Sequence, residues 1–300
     1  MNADATLFLK GLAMGAANVI PGVSGGTIAL VTGVYQRLIA ALGSVGPTSL
    51  RRLFGGDLAG FWRMVDGRWL SVLLAGVALS VVTLALVFEW LLEHHERATM
   101  AFFFGLIVVS IVYVGRRVSR WSAPCIAALV VGTVAAVGIA ILAPAGENAS
   151  PAYLFTCGLI AISSMILPGL SGSFVLILMG NYALVLGAIS ALALDILVPF
   201  ALGCAVGIIA FSHALKWVFA RYEDVTLALM SGFVLGSLVV IWPWKDTLTR
   251  SIERAGDEPK VVVTGYDWFL PPMDATTLGA LTLALAGGAM IVLMERLAAR

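Results

Sequence analysis

Charge is what this chain has least of. Only 12% of its 300 residues are Asp, Glu, Lys or Arg, against 60% hydrophobic, and the mean hydropathy is +1.01. Soluble domains carry about 25% charged residues, so a soluble globular fold is excluded and a polytopic membrane protein is expected. The net charge of +1 argues neither for nucleic acid nor for an acidic soluble partner. Cysteine and histidine are equally scarce, with three of each. Cys125, Cys157 and Cys204 lie singly in apolar runs without ligand spacing, so they read as small packing residues, and neither a metal nor any other cofactor is expected. A basic n-region is also missing, because Asp4 stands where Lys or Arg would be expected in a signal peptide. The first apolar segment is therefore read as retained.

What the chain does have, it has twice. Pro21-Gly22-Val23-Ser24-Gly25-Gly26 is matched by Pro168-Gly169-Leu170-Ser171-Gly172-Ser173, and the same ungapped alignment pairs Gly33 with Gly180 and Tyr35 with Tyr182. A weaker correspondence at a shorter offset pairs Gly105-Leu106 and Ser110 with Gly232-Phe233 and Ser237. The chain reads as a tandem duplication, residues 1–147 and 148–300. A Pro/Gly break inside an apolar run frees backbone groups that cost several kcal/mol each in lipid. Such a break survives only where it is buried or lines a cavity.

A bilayer core of about 30 Å takes about 20 helical residues. Stretches 69–92, 99–115 and 122–142 in the first half and 193–217, 225–241 and 276–294 in the second approach that length. Residues 5–20 and 27–43, and likewise 152–167 and 174–190, are too short to cross comfortably and are joined by the two breaks. Each pair reads as a re-entrant hairpin, 5–43 and 152–190. The fold class is thus an all-α polytopic membrane protein of two repeats, each a broken helical hairpin plus three spans. Thirteen basic residues fall on one side of this scheme and five on the other. The richer side, with both termini, is assigned to the cytoplasm. An odd number of spans per half then makes the repeats inverted. Residues 44–68, basic and carrying Trp and Phe, read as an interfacial amphipathic connector or a plain cytoplasmic loop. Residues 245–275, with little apolar periodicity, read as an outer loop capping that opening.

The residue before a proline is pushed out of the α region, so helices should stop near Ile20 and Leu167. Ser24 and Ser171 are then placed to cap the returning helices. That would leave the amides of Gly25, Gly26 and Thr27, and of Gly172, Ser173 and Phe174, unpaired at positive dipole ends. Small residues let an anion approach the main chain. One helix end contributes only about 0.3–2 kcal/mol toward an anion, so two tips meeting near the midplane are expected, as in transporters built from broken helices. The alternative is that the breaks serve close helix packing alone.

Few other polar groups interrupt the apolar runs. Asp195 is the only formally charged residue between Glu147 and Lys216; it reads as a carrier of a coupling proton or sodium ion, or more ordinarily as the cap of the span from 196. Glu89 is ambiguous in the same way. The Glu93-His94-His95-Glu96-Arg97 cluster reads as a solvated loop rather than a metal site. Arg37 could meet a phosphate from the cytoplasmic side, or snorkel as an anchor.

At these motifs the chain resembles the bacterial polyprenyl-phosphate transporters of the PopT type, formerly a membrane family of unknown function. The residues carrying the likeness are Pro21 through Thr27 with Gly33-Val34-Tyr35, Pro168 through Ser173 with Gly180-Asn181-Tyr182, and Gly232 through Ser237 running on to Trp242-Pro243. Gln36 stands where relatives are expected to carry an acidic residue. The resemblance implies an inner-membrane flippase that moves undecaprenyl phosphate from the outer to the cytoplasmic leaflet for reuse in cell-wall synthesis. Residue types and spacing alone reach only an anion or lipid-phosphate transporter. Two rivals stay open: an intramembrane lipid phosphatase, disfavoured because neither tip carries His, Arg, Asp or Glu, and a carrier or channel for a soluble anion. Oligomeric state is not legible.

Overall fold

Serine or proline stands at the start of several of the helices. In the computed structural model, which describes residues 3–19, 24–142, 145–252, 260–272 and 274–298, Pro47, Pro124 and Pro151 stand in the first turns of helices, where no amide partner is lost. The first half runs α1 (Ala3–Val19), α2 (Gly25–Val31), α3 (Tyr35–Leu42), α4 (Pro47–Phe54), α5 (Leu58–Met64), α6 (Gly67–Gly115) and α7 (Ala123–Ile141). The second runs α8 (Pro151–Ile166), α9 (Gly172–Leu178), α10 (Tyr182–Ala191), α11 (Leu194–Arg221), α12 (Glu223–Ile241), β1 (Lys245–Ile252), β2 (Lys260–Trp268) and α13 (Ala275–Ala298). Among the described residues six helical segments, the two limbs of α6 with α7, α11, α12 and α13, are long and apolar enough to cross a membrane, and up to eight spans result if each bent pair counts as one.

Four helix pairings carry the packing: α1 on the first limb of α6, α8 on α11, α12 on α7, and α13 on the second limb of α6. Each uses glycines reciprocally. Gly11 abuts the carbonyl of Leu73 while Gly76 abuts that of Phe8; Gly158 and Gly203 do the same against Phe200 and Phe155. Gly132 meets Leu229 and Gly232 meets Leu129; Gly105 meets Ala284 and Gly287 meets Phe102. A Cβ at any of these positions would collide with backbone, so the helices pack at the close range typical of small-residue contacts in lipid, where apolar burial gives little drive. The interval from Gly11 to Gly158 equals that between the two Pro/Gly motifs, and the interval from Gly76 to Gly203 equals that from Gly105 to Gly232.

Three features depart from the sequence reading. Residues 27–43 and 174–190 are not single returning helices: α2 and α3 meet at 118°, and α9 and α10 at 116°. The cause is a second break in each, at Gly33 (φ +76°) and Gly180 (φ +73°), a backbone region open to glycine. The Glu93–Arg97 cluster is a kink rather than a loop, with His95 alone leaving helical geometry inside α6 (φ −139°, ψ 39°). Residues 245–252 and 260–268 pair as antiparallel strands, Lys245 with Trp268 through Ile252 with Lys260, bulging between Leu248 and Thr249. The connector forms the two short helices α4 and α5, whose Phe54, Leu58 and Trp62 are exposed beside Arg51, Arg52 and Arg63.

Candidate functional site

The two breaks meet. Thr27, buried on α2, accepts a hydrogen bond at Oγ1 from the Gly169 amide at 2.9 Å, and the Tyr35 hydroxyl donates to the Ile166 carbonyl at 2.9 Å. Ser24 Oγ lies 3.5 Å from the Leu167 carbonyl. An added Cβ on Gly26 would press the Ile166 carbonyl at 3.0 Å. Polar groups of the first half thus satisfy backbone that Pro168 opens in the second. Gly169 takes φ +83° to make that turn and lies against the Phe233–Val234 backbone of α12.

The two tips are not equivalent. The first is closed within the protein. Gly25 N donates to Asn18 Oδ1 at 2.8 Å, Gly26 N to Ser24 Oγ at 3.1 Å and Thr27 N to the Ser24 carbonyl at 2.9 Å. Ser24 caps α2 as its position suggested, yet the three amides expected to be free are all paired. Asn18 is what the sequence reading missed; the signal was a lone amide side chain in an apolar run, three residues before Pro21. At the other end of α2, Lys10 Nζ donates to the Thr32 carbonyl and the Arg117 guanidinium to that of Val31, each at 2.7 Å, so cations sit on the negative end of the helix.

The second tip is open. Ser171 stands at the N-cap of α9, but its hydroxyl makes no cap bond and pairs with that of Ser173 at 2.8 Å. The amides of Gly172, Ser173 and Phe174 have no protein acceptor among the described residues. Ser171 is half-buried and Ser173 exposed, whereas Ser24, Gly25, Gly26 and Thr27 are buried. The aligned residues explain the difference, because Met165 and Phe174 replace Asn18 and Thr27 and offer no polar group. What is left there is three amides without a protein acceptor among the described residues, that of buried Gly172 included, and two hydroxyls paired only with each other, donors suited to an anion at a helix start.

The remaining candidates lie elsewhere. Arg37 is held by Asp66 at 2.7 Å and stacks over Trp69 at 5.0 Å, away from both tips. Asp195 is not the cap of the next span: Ala193 is, and Asp195 is exposed in the first turn of α11. Pro21 and Gly22 lie outside the described residues, as does the side chain of Glu89.

Comparison with known proteins bears on this arrangement. Residues 14–258 match the family described as VCA0040-like, undecaprenyl phosphate translocase-like. The chain is 41% identical over 295 residues to a polyprenyl-phosphate transporter of Vibrio cholerae, covering 97% of this chain and 96% of that protein. It is 33% identical over 254 residues to a polyprenyl-phosphate transporter of Staphylococcus aureus, covering 78% and 85%. No solved structure matches the chain.

Proposed function

Because this chain belongs to the undecaprenyl phosphate translocase-like family, we propose that it carries polyprenyl phosphate across the bacterial inner membrane. The observation that carries the mechanism is the junction of the two breaks, with one tip closed on the other and one left open. The lipid phosphate binds the open donors of Ser171, Gly172 and Ser173 while its tail stays in lipid. When the halves rock, the bonds from Thr27 and Tyr35 to the second half part, and Ser24, Gly25, Gly26 and Thr27 take their turn toward the opposite leaflet. Matched glycine contacts in the two halves support the repeat, and its inversion is the proposed basis of this alternation. The direction is outer to cytoplasmic leaflet, the termini are cytoplasmic, and the coupling ion is a proton or sodium ion. Asp195 is the candidate coupling residue, and its exposure at the start of α11 equally suits a first-turn acid stabilising the helix dipole. The names of the relatives favour transport over hydrolysis.

The test is leaflet exchange of undecaprenyl phosphate in proteoliposomes, comparing wild type with Ser171→Ala/Ser173→Ala and with Ser24→Ala. Exchange lost in the double variant while the protein stays folded supports a headgroup at the second tip. Absence of exchange by well-folded wild type overturns the lipid reading. Competition by inorganic phosphate as effective as by the lipid would favour a soluble-anion carrier.

A further inference from the structure

At the end of the molecule that carries the β-hairpin lies an open groove of about 440 Å³. Its wall is apolar: Phe104 from α6, Leu238 and Trp242 at the end of α12, and Phe269 and Leu270 after β2. Two indoles fix its shape. Trp242 Nε1 donates to the Phe269 carbonyl at 3.1 Å and Trp268 Nε1 to that of Val239 at 2.9 Å. Leu270 is 85% exposed, a large cost for a leucine facing water.

The rim has the opposite character. Arg97, two residues past the kink at His95, sets its guanidinium 5.8 Å from the Phe269 ring centroid and has no carboxylate partner among the described residues. The Trp244 indole, 5.4 Å from that of Trp242, is 4% exposed and its N–H has no acceptor among the described residues. An apolar groove beside a cation with no carboxylate partner among the described residues is complementary to a lipid with a compact anionic head and a hydrocarbon chain.

We propose that this groove binds the phosphate and first isoprene units of a polyprenyl phosphate, as a holding site separate from the tips. The identity of the lipid rests on the transporter reading above. Arg97 takes the phosphate, and Phe104, Leu238, Trp242 and Phe269 enclose the chain. By the distribution of basic residues this end faces outward, so the site collects the lipid where it enters.

The test uses the full chain in nanodiscs of phosphatidylethanolamine and phosphatidylglycerol with a polyprenyl phosphate bearing a benzophenone near its first isoprene unit. Crosslinks are expected on residues 238–242 and 268–270, competed by undecaprenyl phosphate and not by undecaprenol or added phosphatidylglycerol. Arg97→Gln, at an exposed position, should weaken that competition about tenfold or more, as loss of a charge-assisted hydrogen bond predicts. Leu238→Trp should block labelling, and Leu270→Ser, at the exposed rim, gives a second reading if the first variant misfolds. Labelling absent from these segments, or competed equally by phosphatidylglycerol, overturns the proposal. Leaflet exchange measured on the same preparation separates the two ideas: exchange without groove labelling removes only the groove, and labelling without exchange removes only the transport reading.

Discussion

Side-chain hydroxyls join the halves of this chain, and removing that of Thr27 is the sharpest residue-level test of the junction. Thr27→Val keeps the shape but leaves the Gly169 amide unsatisfied in a buried place, which should cost about 1–3 kcal/mol. Tyr35→Phe should cost a similar amount through the Ile166 carbonyl. A fall in melting temperature in detergent, with the double variant no worse than additive, would be expected if the two bonds act independently. The sequence made the tips legible because the same Ser-bearing Pro/Gly break interrupts an apolar run twice. It did not reveal that one tip is closed, because that depends on Asn18 folding back seven residues to Gly25 and on Thr27 reaching across 142 residues. The contrast was nonetheless written in the alignment, where Met165 and Phe174 stand for those two polar residues.

Among the elements, the long helices were readable from hydropathy, since lipid demands unbroken intrahelical bonding. The second breaks at Gly33 and Gly180 were not. Both glycines were visible as matched residues, but only a positive φ turns a glycine in a helical run into a corner of nearly 120°. The hairpin is hard to read because β1 is mainly polar and the valines of β2 follow one another without apolar alternation; cross-strand bonds and the two tryptophans hold it. Burial pushes the Lys245 ammonium down to about 8, against a smaller upward pull from Glu96, and its Nζ donates to the Val240 carbonyl. Between about pH 8 and the ordinary lysine value the unfolded hairpin therefore holds a proton the folded one lacks, so its stability rises with pH there. Burial raises the Tyr266 phenol, which acts in the opposite sense and erodes stability as pH climbs above 10. Hydrogen exchange of the amides in β1 and β2, corrected for intrinsic rates, should show greatest protection between these limits, and Lys245→Met should remove the rising limb.

For the molecule as a whole, the expected orientation places α4 and α5 at the cytoplasmic interface and the hairpin outside. In intact spheroplasts, Leu270→Cys should react with an impermeant maleimide and Gly56→Cys only after permeabilisation; the reverse pattern would invert the topology. Packing reaches across the midpoint of the chain in the same way as the tips do. Within the first half α1 finds α6, but α7 packs on α12, and the second limb of α6 packs on α13, the last helix. Glycine faces at Gly105 and Gly132 therefore have no partner until residues 229 to 287 have been made. The protein cannot mature one half at a time: while the ribosome is still working, its first half must wait in the membrane with open grooves and an unanswered Thr27, which makes an interrupted chain a ready target for membrane quality control.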